Sequence, residues 1–279
     1  MKKIAFICCL LVLTTCNLFS QQNNNLRIER VENGLRTYRW ALFGDEKYFN
    51  ILERMKFYRV PGVSIAVIEN GTLVWAKAYG VKDFDTKEPV TVKTLFQTGS
   101  ISKSLNAMAI MKKAEEGHFA LHEDVNTHLK SWQLPSNQFT ENRTVTISHL
   151  LNHTGGTSDW NDRTGYLGYK TTDPVPTVLQ ILNGEPPAKT QPVVVDRVPG
   201  AFHYSNGGTI ILQLLLMEIE NKPYNQIMKE TVIDPLGMTY STYTNPLPDS
   251  PTAWRWTWSS SGWGWSPDQT QERWRRSLV

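Results

Sequence analysis

The sequence predicts a mixed α/β chain of the α+β kind, on three observations. Two β-rich runs meet at Asn70-Gly71, an apolar-striped helix runs from Ile101 to Glu116, and a second apolar helix covers about Thr209 to Glu220. At 279 residues the chain can bury a sizeable core, as one large domain or two interleaved ones.

The first twenty residues stand apart. Lys2 and Lys3 precede an apolar run from Ile4 to Leu13, and small or polar residues follow up to Ser20. This is the pattern of a secretory signal peptide over residues 1–20, too short and too quickly polar for a spanning helix. A buried N-terminal strand or helix is the competing reading. Cleavage after Ser20 leaves Gln21 first and a secreted or periplasmic product with no membrane span. A lipoprotein route through Cys16 stays open, although "LTTC" lacks the small residue usual just before the cysteine. Cys8, Cys9 and Cys16 all lie in this segment, so the mature chain has neither disulfide nor thiol chemistry.

The net charge of +3 is concentrated at the ends. Lys2 and Lys3 contribute two, and the last 29 residues, with four arginines against Asp268 and Glu272, contribute two more, which leaves residues 21–250 at −1. A nucleic-acid partner would require a clustered basic face, and none is present.

Residues 26–57 read as helical with a break at Gly44. Val63 to Ile68 and Thr72 to Tyr79 form a hairpin, because Asn-Gly between β-rich runs suits the positive φ that a type I′ turn needs at both positions. In the helix from Ile101, apolar Leu105, Met108, Met111 and Ala114 share one face, and Gly117 sits at a left-handed C-cap. "TVTISHLLNHTGG" gives a short helix closed by Gly155-Gly156. A connection to about Pro176 follows, and its Trp160, Tyr166 and Tyr169 either line a substrate cleft or pack as a structural loop. The helix over Thr209 to Glu220 stops before Pro223. Residues 250–279 differ in kind, with six of the ten tryptophans mixed among Ser, Gly and Arg. They hold neither a period of 2 nor one of 3.6 for long.

Chemistry centres on "TGSISKSLNAM". A serine hydroxyl is a weak nucleophile that needs a base within hydrogen-bond reach and donors for the oxyanion. Ser100 and Lys103 are three apart at a helix start, hence on one face, where the helix N-terminus favours a developing anion. By spacing alone they are equally a pair on a solvated surface helix.

The surroundings decide. "LFQTGSISKSLNAMAIMKKAEEGHFALHEDV", "VPGVSIAVIENGTLVWAKAYGV" before it, and "VTISHLLNHTGG", "PGAFHYSNGGTIILQLLLMEIENKPY" and "VIDPLGMTYSTY" after it resemble the serine β-lactamase and penicillin-binding superfamily. Within it they are similar to the class C branch with its family VIII esterases and D-amino-acid peptidases. The resemblance spans about residues 55–245, in five segments in the right order. It implies Ser100 as acylating nucleophile, Lys103 as its partner, and Tyr204 of "YSN" as the group that shares the base role and protonates the leaving group. It implies Asn206 as holding substrate or Lys103; Trp160 and Tyr166 are candidate substrate-binding residues only as aromatics of the connection before Pro176. Tyr48-Phe49-Asn50 and Tyr243-Thr244-Asn245 fit the same YxN pattern. Tyr204 is preferred for its distance from Ser100 and for the glycine-rich turn around it.

The fold that the resemblance implies is β-lactamase/transpeptidase-like. It has an antiparallel sheet, built from an N-terminal hairpin and several C-terminal strands, flanked by helices, plus an inserted helical region carrying SxxK and YxN. Residues 26–249 supply the hairpin and helical region, an incomplete serine hydrolase domain without the C-terminal strands, and 250–279 read as a truncated or out-of-frame end, or else a true variant tail. The family's third motif, Lys-Thr-Gly or His-x-Gly, does not follow Tyr204. Lys189-Thr190-Gln191 lacks the glycine, and His153-Thr154-Gly155 precedes Tyr204 in a segment the resemblance treats as structural.

His118 with His122 and His149 with His153 have helical spacing, but Phe119 and Leu150 stand where a metalloprotease pattern needs glutamate. The sequence therefore calls for no metal and no cofactor. It points to an exported serine hydrolase acting through an acyl-enzyme on a small-molecule ester, β-lactam or D-amino-acid peptide. The alternative is a catalytically silent relative that binds cell-wall fragments or a protein partner.

Overall fold

The structure is a computed structural model that describes residues 24–36, 44, 47–82, 86–159 and 174–244. The expected signal peptide (1–20), the loop aromatics Trp160, Tyr166 and Tyr169, and the tail (250–279) lie outside the described residues. The chain divides into two compact units, Met1–Val92 and Lys93–Val279.

In the first unit the described residues of the segment read as helical with a break form two helices, residues 24–32 (α1) and Ile51–Tyr58 (α2), and Leu35 and Phe49 between them form an antiparallel bridge. Asn50 sets the second start, since its side chain accepts from the backbone N–H of Leu52 and Glu53, the N-cap role for which asparagine is suited. The expected hairpin is present as β1 (Gly62–Glu69) and β2 (Thr72–Gly80), each running slightly beyond its expected bounds. Glu69 faces Thr72, and Asn70 (φ 50°) and Gly71 (φ 73°) both have the positive φ of a type I′ turn. A bulge between Val67 and Ile68 shifts the register. Ile51 and Met55 of α2 pack with Tyr79 of β2, and Tyr79 donates to Glu32 Oε1 at 2.9 Å, tying α1 to the hairpin. Burial, with the Glu32 carboxylate beside it, pushes the Tyr79 hydroxyl up to about 12. Among the described residues the sheet consists of these two strands.

The described part of the second unit is mainly helical. A 3-10 turn, Gly99–Ile101, feeds α3 (Ser102–Glu115), and α4 (Ile147–Leu151), α5 (Val178–Asn183), α6 (Asn206–Glu220) and α7 (Tyr224–Met228) follow. Its core is built on α6, whose Ile210, Ile211, Leu214 and Leu215 meet Ala109 and Ile110 of α3, Ile147 and Leu150 of α4 and Leu182 of α5. Removing each such side chain from water stabilises by about 1.5–3 kcal/mol, so α6 is the member that holds the others in place.

Two expectations are corrected here. The buried face of α3 is not the Leu105, Met108, Met111, Ala114 stripe. Ser102, Asn106, Ala109, Ile110 and Lys113 are buried, and Met108 and Met111 are exposed. Buried polar groups must be hydrogen-bonded or paired. Asn106 Oδ1 accepts from Tyr224 Oη at 2.9 Å, and Lys113 Nζ pairs with Glu116 at 2.8 Å and Glu220 at 2.6 Å. Secondly, α6 begins at Asn206, so the glycines read as a turn form its first helical turn. A Cβ on Gly207 would stand 2.8 Å from the Ser158 carbonyl oxygen, so the glycine marks a close approach of backbone. The helix α5 was not expected, although Thr177 and Gln180 spell a capping box.

Candidate active site

Ser100 lies exposed in the 3-10 turn ahead of α3. Gly99 takes φ +54°, which glycine adopts without steric cost, and that bend brings the chain into the helix with Ser100 at its mouth. Ser102 Oγ donates to the Gly99 carbonyl at 2.7 Å, and Tyr243 Oη donates to the Ser102 carbonyl at 2.8 Å, so the turn is pinned from both sides. Lys103 follows one turn on, with Nζ 3.3 Å from Ser100 Oγ.

Tyr204 reaches the same oxygen from the other end of the unit. It precedes Ser205, the extended N-cap of α6, and its hydroxyl donates to Ser100 Oγ at 2.8 Å. Lys103 Nζ also lies 5.2 Å from the centre of the Tyr204 ring, within cation–π range. The other YxN tyrosines are occupied elsewhere. Tyr243 is buried on α3, and in the first unit Tyr48 accepts from Arg36 at 2.9 Å.

Asn206 is buried, and its backbone N–H and Nδ2 both donate to Asp159 Oδ1, at 3.3 and 2.8 Å. Asp159 was not singled out from sequence. Neither was the role of His153, whose triplet was set aside as structural. The His153 ring stacks on Tyr204 with centroids 4.6 Å apart and planes at 38°, and its Nδ1 accepts the Ser205 N–H at 3.2 Å. Burial lowers the His153 imidazole from its ordinary range, and the nearby Lys103 cation lowers it further, against the opposing pull of the Asp159 carboxylate. The expected substrate-binding residues Trp160 and Tyr166 fall just beyond Asp159, outside the described residues.

The second histidine pair spends ring nitrogens on the backbone. His149 Nδ1 accepts from Thr146 N–H in the capping box of α4, and His153 Nδ1 accepts from Ser205. Among the described residues one trio, Glu116, His118 and Glu220, has ligand atoms within 4.8 Å of one another. The Lys113 ammonium, bonded to both glutamates, already supplies positive charge there.

The arrangement thus offers a solvent-facing hydroxyl with an amine and a phenol both within proton-transfer reach, mounted on turns that are themselves hydrogen-bonded. Ser100, Lys103 and Tyr204 are brought together in the structure.

The Beta-lactamase family model matches residues 50–276. Protein flp of Staphylococcus aureus (strain N315) is 29% identical over 188 residues, which are 66% of this chain and 35% of that protein. The octameric penicillin-binding protein homologue from Pyrococcus abyssi superposes with a TM-score of 0.64 at 25% identity, over 82% of this chain and 50% of that one. The D-amino acid amidase from Ochrobactrum anthropi SV3 shares the fold, with a TM-score of 0.61 at 22% identity, over 81% of this chain and 61% of that one. The chain spans between about a third and two thirds of the length of these relatives.

Proposed function

Because the chain belongs to the Beta-lactamase family, we propose that it is a serine hydrolase that works through an acyl-enzyme on Ser100, with ester, β-lactam or D-amino-acid amide substrates. The observation that carries the reading is the convergence of Lys103 Nζ (3.3 Å) and Tyr204 Oη (2.8 Å) on one exposed serine oxygen. Ser100 Oγ attacks the substrate carbonyl carbon while its proton passes to Tyr204, directly or by way of Lys103. The tetrahedral oxyanion then collapses, the bond to the leaving group breaks, and the leaving group takes a proton from Tyr204. Water releases the acyl group from Ser100 by the same steps in reverse. In the same reading Asn206, bonded to Asp159, holds the substrate or Lys103, and Trp160 and Tyr166 serve as further substrate-binding residues.

In this reading the hydrolase domain occupies residues 26–249 and residues 1–20 direct export to a periplasmic or secreted location. No described helix is long and apolar enough to cross a membrane. N-terminal sequencing of the product from an exporting host checks the cleavage after Ser20.

The test of the activity is covalent labelling. A fluorophosphonate probe and a fluorescent penicillin are each expected to give a single adduct, located at Ser100 and lost in Ser100→Ala. A folded parent that takes no label, or a Ser100→Ala variant that labels equally, ends the assignment. The second reading is a catalytically silent relative that binds cell-wall fragments or a protein partner. A Ser100 adduct without turnover of p-nitrophenyl acetate or nitrocefin would select that reading.

A further inference from the structure

The loop after α4 holds the Tyr204-Ser205-Asn206 segment residue by residue. Thr157 Oγ1 donates to Ser205 Oγ at 2.8 Å, and Ser205 Oγ donates to the Ser158 carbonyl at 2.9 Å. Asp159 takes two bonds from Asn206, and the backbone N–H of His203 donates to the His153 carbonyl at 2.7 Å. Gly156, in the left-handed region at φ +65°, lies so close to Arg197 that a Cβ would stand 2.3 Å from its carbonyl oxygen, which fixes where the loop crosses. Tyr204 itself makes one described hydrogen bond, the one to Ser100. Its ring lies against His153, tilted at 38°, with Lys103 Nζ 5.2 Å from the ring centre.

We propose that His153 is a positioning residue, whose ring, stacked on Tyr204 and anchored by the Ser205 N–H, fixes the Tyr204 phenol at Ser100. The inference rests on the serine hydrolase reading for its catalytic meaning, but not for its geometry. Two contacts define the role, and they are separable. The ring face restricts Tyr204, while Nδ1 ties His153 to the residue immediately after Tyr204. His153 also sits at φ 60°, a left-handed conformation that asparagine accepts far better than most residues.

His153→Asn therefore keeps the backbone conformation and places an amide oxygen near the position of Nδ1, but removes the stacking ring. The full 279-residue chain is labelled with [13Cζ]tyrosine, and the Tyr204 resonance is assigned by Tyr204→Phe. In His153→Asn the Tyr204 resonance is expected to shift and broaden while the other tyrosines stay in place. The limiting rate of Ser100 acylation by the fluorophosphonate is expected to fall by about 10- to 100-fold, the scale of a misplacement on the order of 1 Å, with the half-saturating probe concentration little changed. A Tyr204 resonance identical to that of the parent overturns the proposal, whatever the rate. Should the parent itself take no label, the hydrolase reading fails and the resonance still decides the role of His153. If His153→Asn does not fold, His153→Gln is measured in its place under the same criteria.

Discussion

Tyr204 Oη and Ser100 Oγ lie 2.8 Å apart although 104 positions separate them in the chain. The contact is long-range, and it is made by two segments that are each fixed locally. One is the turn that Gly99 starts and Tyr243 pins, and the other is the extended entry to α6 that Ser205 caps by accepting the Gly208 N–H at 3.0 Å. Because α3 and α6 pack directly in one core, the hydroxyl and the phenol meet without any element having to move.

Tyr204→Phe is expected to keep the stack on His153 and lose the proton path. Acylation of Ser100 should fall by about 10² to 10⁴, the usual worth of general acid–base catalysis. Stability should change by no more than about 1 kcal/mol, the net contribution of one hydrogen bond. Single-turnover labelling rates and urea melts of parent and variant give the two numbers. A variant that acylates at more than about half the parent rate would remove Tyr204 from the chemistry.

Lys103→Ala should lower acylation over a similar range, about 10² to 10⁴, with the fold intact because Lys103 is only half-buried. Lys103→Arg should not restore the rate, since a guanidinium stays protonated near neutral pH. The measurement is the rate of p-nitrophenyl acetate burst or probe labelling for the three proteins side by side. Recovery by arginine would mean that position 103 supplies charge alone.

Features whose cause is local could be read from sequence. Asn70-Gly71 dictates the hairpin because both positions need positive φ, and the spacing of Ser100 and Lys103 puts them on one face before any fold is known. Tyr204 needed the family resemblance, since three YxN triplets exist and only tertiary packing separates them. His153 and Asp159 stayed hidden for the same reason. Each acts on a residue about fifty positions away, and nothing near them in sequence names the partner. The buried face of α3 was misread because Asn106 and Lys113 look like surface residues until Tyr224 and Glu220 are in view.

Gly207→Ala tests the close approach between the loop and α6. Its Cβ would stand 2.8 Å from the Ser158 carbonyl and 2.9 Å from a Val193 methyl, so backbone must shift. The expected loss is about 1–3 kcal/mol, typical of overpacking, and acylation should fall with it because Asn206 and Tyr204 flank the site. Gly208→Ala, whose nearest neighbour is Thr157 Oγ1 at 3.1 Å, should cost less. Denaturant midpoints for the pair check the order, and equal stability of Gly207→Ala and parent would show that the loop yields.

His153 makes stability depend on pH in a definite direction. Its imidazole is held below the ordinary value of 6.5 by burial and then by the Lys103 cation. The unfolded chain therefore takes up a proton near pH 6.5 while the native state still resists it, and proton uptake by the unfolded state alone lowers stability. The contribution of His153 is thus fully present above pH 6.5 and is lost as pH falls through the lowered native value. The charged and titratable groups facing it are Lys103 from α3, Asp159 from its own loop and Tyr204 from the entry to α6. Asp159 opposes the shift, so its neutralisation in Asp159→Asn should deepen the acid loss. Protonation would also remove the Nδ1 acceptor from the Ser205 N–H, loosening the segment that carries Tyr204. Urea midpoints from pH 8 down to pH 5 should decline for the parent and decline less for His153→Asn, after the shared contribution of the carboxylates is subtracted. Parallel profiles for the two proteins would show that His153 titrates alike in the folded and unfolded chains.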